Sequence, residues 1–203
     1  MAIWDLKERN DLVRANQAIT AGNKGLFGGN NPALNSVDHL NVTITSNATD
    51  FGDLTEANRK SAAAGAVTRF IRWGGETPSA VNTCDFANPF NAGNFTDFGD
   101  LTATGQTTNT AHSNNVFAVG ASGQGSANAN LNKMTVATQG NAAQFGDATR
   151  NLTWSSGGGN RTRFLTAGIY PGANSIDIKS MATDGDSVDF GDLSSNKWGI
   201  GTE

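Results

Sequence analysis

The chain has 203 residues, 37% of them hydrophobic and 16% charged, with a formal net charge of −4. That balance excludes a highly charged disordered chain, and with no Lys/Arg run it also excludes a basic nucleic-acid groove. Cys84 is the only cysteine, which rules out an intrachain disulfide and a cysteine-based metal knuckle.

In chain order, the stretch from Met1 to Asn10 carries charge where a signal peptide would be apolar. No apolar run approaches a membrane span, so no membrane insertion is expected. From Leu6 to Thr20, Leu12, Ala15 and Ile19 have partial helical spacing, but the corresponding later stretches are Thr- and Gly-rich, so the segment is read as a unit's first strand. Gly25-Leu26-Phe27 leads into Gly28-Gly29, and a polar loop leads to Asn35-Ser36-Val37-Asp38. Alternation follows in Val37, Leu40, Val42 and Ile44, and a turn at Ser46-Asn47 leads to Phe51-Gly52-Asp53. The succession returns as Gly74-Gly75, Asn82-Thr83-Cys84-Asp85 and Phe98-Gly99-Asp100. It returns again as Gly120-Ala121, a departing Ala129-Asn130-Leu131-Asn132, and Phe145-Gly146-Asp147. The last round is Ala167-Gly168, Asn174-Ser175-Ile176-Asp177 and Phe190-Gly191-Asp192.

The four phenylalanines are spaced by 47, 47 and 45 residues, the mark of a repeat protein. Strands of about 5–6 residues joined by connections of about 4–6 place four strands in one period. Each unit is therefore predicted to be a four-stranded blade of a β-propeller. The units fall at about 7–54, 55–101, 102–148 and 149–193 of a single repeat domain 1–203, with a C-terminal tail at 194–203. The glycine pair is expected to end an inner strand where backbones crowd near the axis. The phenylalanine is expected to pack between blades, the next glycine to allow a tight bend, and the aspartate to accept backbone hydrogen bonds in a turn. This all-β array either closes as a four-bladed ring or stays open, its edge strands completed by neighbouring subunits.

The order of glycine pair, variable loop, Asn-x-apolar-Asp, aromatic residue and Leu resembles the kelch repeat. More closely, the run Asn47-Ala-Thr-Asp-Phe-Gly-Asp-Leu-Thr55 is similar to a kelch-like repeat of marine bacteriophage proteins, those of cyanophages included, and Gly140-Asn141-Ala142 preserves another part of it. The resemblance implies a virion component in a tail, neck, fibre or capsid-decoration position. Such a protein is made in the host cytoplasm, is present in multiple copies and packs against other virion proteins.

Asp-Phe-Gly is also a magnesium-binding mark of protein kinases, but no catalytic loop or glycine-rich phosphate loop accompanies it here. Asp184-Gly185-Asp186 with Asp189 is read as the turn before Phe190 in preference to a calcium site. Asp38, Asp85 and Asp177 are expected to make turn or strand-edge hydrogen bonds instead of lining a cation channel. His39 and His112 occupy different repeat positions and suggest no metal pair or triad. Gly157-Gly158-Gly159 lacks the ending of a phosphate loop and is read as a flexible inter-strand loop. No catalytic, metal or cofactor residue is assigned, and a non-enzymatic role is expected. Trp154 and Trp198 are the candidates for an exposed binding surface. An alternative role, a receptor- or glycan-binding module of the phage tail, would use them.

Overall fold

Short runs of alternating residues separated by Gly, Asn and Ser turns give strands, and consecutive strands pair before the chain moves on. The computed structural model describes residues 23–103, 107–124 and 129–197. The first sheet is β1 (Lys24–Gly28), β2 (Leu34–Asn41) and β3 (Thr49–Asn58). The second is β4 (Ala62–Gly65), β5 (Phe70–Trp73), β6 (Thr83–Ala87) and β7 (Thr96–Asp100). The third is β8 (Thr107–Ser113), β9 (Phe117–Gln124), β10 (Asn130–Thr135) and β11 (Ala143–Asp147). The fourth is β12 (Ser156–Gly159), β13 (Arg163–Ala167), β14 (Ala173–Ser180) and β15 (Val188–Lys197).

All pairings are antiparallel between sequence neighbours, so each repeat unit becomes one sheet. The segment from Leu6 to Thr20, the Ile3-Trp4-Asp5-Leu6 run and Trp198 lie outside the described residues. Residues 194–197 belong to β15 and not to a tail: Ala173 pairs with Lys197, and Ile169 donates its N–H to the Lys197 carbonyl at 3.0 Å.

The first strands β4, β8 and β12, each from a different sheet, lie beside one another. Two of them are built of small residues, Ala62-Ala63-Ala64-Gly65 and Ser156-Gly157-Gly158-Gly159, whereas β8 reads Thr-Thr-Asn-Thr-Ala-His-Ser. Thr110 Oγ1 donates to the Gly157 carbonyl at 2.9 Å. A Cβ on Gly157 would lie 2.3 Å from the Leu165 carbonyl, and one on Gly159 would lie 2.2 Å from that of Arg163. The three glycines expected as a flexible loop are thus a strand, and at Gly157 and Gly159 the neighbouring backbone leaves no room for a side chain.

Crowding falls on the glycine pairs as well: a Cβ on Gly75 would lie 2.0 Å from Asn58 Oδ1 and 2.8 Å from the Arg59 carbonyl, and one on Gly29 would lie 3.0 Å from the Asn58 carbonyl. Gly29, Gly74 and Gly168, which follow β1, β5 and β13, turn the chain with φ of +78°, +52° and +63°. The third unit differs: Gly120-Ala121 lies inside β9, and a Cβ on Gly120 would come 2.7 Å from the Trp73 ring of the sheet before.

Each core cluster spans two adjacent sheets. One joins Val37, Phe51 and Leu54 to Ala87 and Phe95. The next joins Ile71, Trp73 and Phe98 to Ala118, Met134 and Val136. The third joins Val119, Leu131 and Phe145 to Phe164 and Met181. The hydrophobic core thus sits between sheets, where burial of each phenylalanine contributes about 1.5–3 kcal/mol.

Cys84 belongs to the second cluster, and burial pushes its thiol up from the ordinary 9.0 to about 12. It is expected to resist iodoacetamide at neutral pH in the native protein and to react after urea unfolding. Equal rates in both states would contradict its placement. Because the folded pKa is the higher, the thiol leaves stability intact below pH 9.0 and erodes it as pH climbs towards about 12.

Candidate functional site

The repeated Phe-Gly-Asp lies within the last strand of each sheet, and the phenylalanine is the extra residue of a β-bulge. Val37 pairs with Gly52 and Asp38 with Asp50, which passes over Phe51. The same register shift passes over Phe98, Phe145 and Phe190. Gly52, Gly99, Gly146 and Gly191 have φ of +143°, +141°, +124° and +140°, which glycine holds without strain. The bend expected from the glycine is therefore a bulge in mid-strand.

The bulge turns backbone groups towards the following sheet, where a Gly-Asn corner meets them. Gly93 and Phe95 donate their N–H groups to the carbonyls of Phe51 and Asp53, both at 2.7 Å. Asp53 returns its own N–H to Asn94 Oδ1 at 3.0 Å. Gly140, Asn141 and Ala142 repeat the pattern on Phe98 and Asp100 at 2.9, 3.1 and 2.7 Å. Gly185, Asp186 and Ser187 do so on Phe145 and Asp147 at 3.1, 3.0 and 2.8 Å. A Cβ on Gly52, Gly99 or Gly146 would come within 2.5, 2.5 or 1.8 Å of the clasping backbone. In the clasp the aspartates of the mark serve through their main chain, while Asp147 Oδ1 accepts from Gln144 Nε2 at 3.1 Å within its own strand. The side-chain acceptor role expected of them belongs to Asn94, Asn141 and Asp186 of the next sheet.

A second contact reinforces the first. Thr55 Oγ1 donates to Asp85 Oδ1 at 2.7 Å, Thr102 Oγ1 to Asn132 Oδ1 at 2.7 Å, and Thr149 Oγ1 to Asp177 Oδ1 at 2.8 Å. These acceptors are buried, and the two carboxylates have cations. Arg72 Nε and Nη2 reach Asp85 at 3.1 and 2.5 Å, and Arg150 Nη2 reaches Asp177 at 2.5 Å. In the third unit Gly120 faces Asn132 where Arg72 faces Asp85, and Ala103 follows Thr102 where Arg150 follows Thr149. Without a cation a buried carboxylate would be costly, and a neutral amide stands in its place. That explains the departure at Asn132.

Cations also cap the phenylalanines. Lys24 lies 5.8 Å from the Phe51 ring centre, Arg69 lies 5.6 Å from that of Phe98, and Lys133 and Lys179 lie 4.4 and 4.0 Å from that of Phe145. Burial holds the Lys179 ammonium below the usual lysine range. The hydrogen bond from Lys133 holds the Asp184 carboxyl below its own.

The remaining sequence candidates serve in these contacts or in packing around them. His39 meets Phe51 edge-on at 5.5 Å, and His112 stacks on Phe164 at 6.5 Å. Asp184 pairs with Lys133, and Asp186 belongs to a clasp. Trp154 is half-buried with φ of +51° and tilts against the exposed Tyr170 at 4.9 Å.

Phe51, Phe98 and Phe145 are at most 2% exposed, whereas Phe190 is 56% exposed. Phe98→Ala is expected to cost about 3–5 kcal/mol in urea unfolding, and Phe190→Ala less than about 0.5. Equal losses would show that the exposed mark is packed in solution.

No protein-family model matches the chain, and no curated protein matches it. Among solved structures, that of YjhT is similar, with a TM-score of 0.69 at 10% sequence identity over 88% of this chain and 66% of that one. The chain thus spans about two thirds of YjhT's length. At that identity the likeness is one of fold alone. The four antiparallel sheets define an all-β repeat protein, and their arrangement is consistent with a propeller-like fold.

Proposed function

We propose that this protein is a non-enzymatic structural or decoration component of a phage particle, a kelch-like propeller whose blades are the four sheets and whose partners are other particle proteins. The observation that carries the reading is the inter-sheet clasp. The residues that recur along the chain are spent on holding one sheet to the next, as expected of a scaffold whose work is its shape. The likeness of the run from Asn47 to Thr55 to marine phage repeats supplies the setting. Mass spectrometry and antibody labelling of purified particles are expected to find the polypeptide in multiple copies. Its presence in infected-cell lysate and absence from particles would overturn the reading.

The Trp154–Tyr170 pair favours a second reading, a receptor- or glycan-binding module of a tail. Aromatic faces at a surface suit the apolar faces of sugars, and this pair carries one exposed ring. Excess free protein would then block adsorption to host cells and Trp154→Ala would lose that block. Unchanged adsorption in the presence of the protein would dispose of this alternative.

A further inference from the structure

Among the described residues, the two ends of the array carry complementary, unused halves of the clasp that holds its interior together. Phe190 occupies the same bulge as the other three phenylalanines, and Gly191 has the same conformation. Yet among the described residues a Cβ on Gly191 would meet nothing within 4 Å, where its counterparts face backbone at 2.5 Å or less. Beside Phe190 runs a groove of about 730 Å³, lined in part by Ile178, Lys179, Asp186 and Val188.

The first sheet has the reverse deficit. Ser46, Asn47 and Ala48 stand where Gly93-Asn94-Phe95 and Gly140-Asn141-Ala142 make their clasps, and all three are exposed. Asp38, the counterpart of the buried Asp85, Asn132 and Asp177, is exposed on a strand of the same register. Val42 is 60% exposed, whereas its counterparts Val136 and Met181 are 1% exposed and pack in clusters with Phe98 and Phe145 of the sheets before them. Both halves are exposed at once, so the ends of a single chain do not satisfy each other.

We propose that the first sheet of one copy docks on the last sheet of another, with Ser46-Asn47-Ala48 clasping Phe190-Gly191-Asp192. Ser46 and Ala48 donate their N–H groups to the Phe190 and Asp192 carbonyls. Asp192 donates its N–H to Asn47 Oδ1, and Ser194 takes the place of the threonines opposite Asp38. Phe190 is then covered by Leu40 and Val42. Serine at position 46 keeps the N–H that the glycines use. The contact joins unlike surfaces and leaves a free half at each end, so it propagates head to tail. The inference goes beyond the particle reading. It is tested on purified protein, whereas that reading is tested on particle content, so either can fail alone.

Sedimentation velocity on the purified full chain is expected to show oligomers that lengthen with concentration. Phe190→Asp and Val42→Asp alter exposed residues at opposite ends. Each variant alone is expected to lose association by roughly ten- to a hundredfold, the equivalent of one apolar side chain left unburied. Mixed together, the two variants are expected to form dimers and nothing larger, because each supplies the half the other lacks. A chain carrying Asn47→Cys and Asp192→Cys is expected to give a ladder of interchain disulfides on oxidation. A monomeric wild type at every concentration, an intrachain bridge in the double-cysteine chain, or association unchanged in both aspartate variants would each overturn the proposal.

Discussion

Arg72→Ala is expected to lower stability by about 3–5 kcal/mol in urea unfolding, the cost of a buried carboxylate stripped of its cation. Asp85 has no exposed surface and receives two guanidinium nitrogens, with Thr55 as its other side-chain partner. The same guanidinium bonds the Gly74 carbonyl at 2.5 Å, so its loss frees a second acceptor. The third sheet shows how the chain avoids this: Asn132 takes its threonine with no arginine opposite. Arg72→Ala combined with Asp85→Asn copies that arrangement and is expected to recover more than half of the loss. A double variant no more stable than the single one would refute the electrostatic account of Asn132.

The second large effect separates a glycine's conformation from its surroundings. Gly146→Ala and Gly191→Ala both place a side chain at positive φ, at a strain of about 1–3 kcal/mol each. Only at Gly146 does the new Cβ run into the carbonyl of Gly185. Forcing that contact costs about 1–3 kcal/mol more and loosens the clasp. Thermal unfolding of the two variants at low protein concentration, where chains are apart, is expected to show that difference. Equal losses would mean that the clasp contributes nothing beyond its backbone conformation.

The architecture was legible in the sequence because a period states how much chain each sheet receives. Four strands in each of the last three sheets, phenylalanines between sheets at Phe51, Phe98 and Phe145, and the departure at Asn132 could all be read from spacing. What spacing cannot state is which distant residue a repeated one touches. Asp53 and Asn94 are 41 residues apart, so the aspartate of the mark was expected to serve its own turn, while its backbone serves the next sheet. Glycine was ambiguous for a different reason. The same residue marks a mobile loop or a strand with no room for side chains, and Gly157 and Gly159 are the second kind. The strand through Gly120-Ala121 shows that a small pair does not end a strand when a tryptophan from the neighbouring sheet occupies the space a side chain would need. Thr55, Thr102 and Thr149 recur after their marks, and that recurrence was the available signal for the second contact.

The nearly constant separation between the partners of a clasp, 41, 41 and 39 residues along the chain, also bears on inheritance. Each unit carries the corner that grips its predecessor and the bulge that its successor will grip. A duplication of one period in the gene therefore copies the joint together with the parts it joins. Such an array can gain a member without any new interface having to evolve, and the mutations that matter most are those that break the phase between one unit and the next.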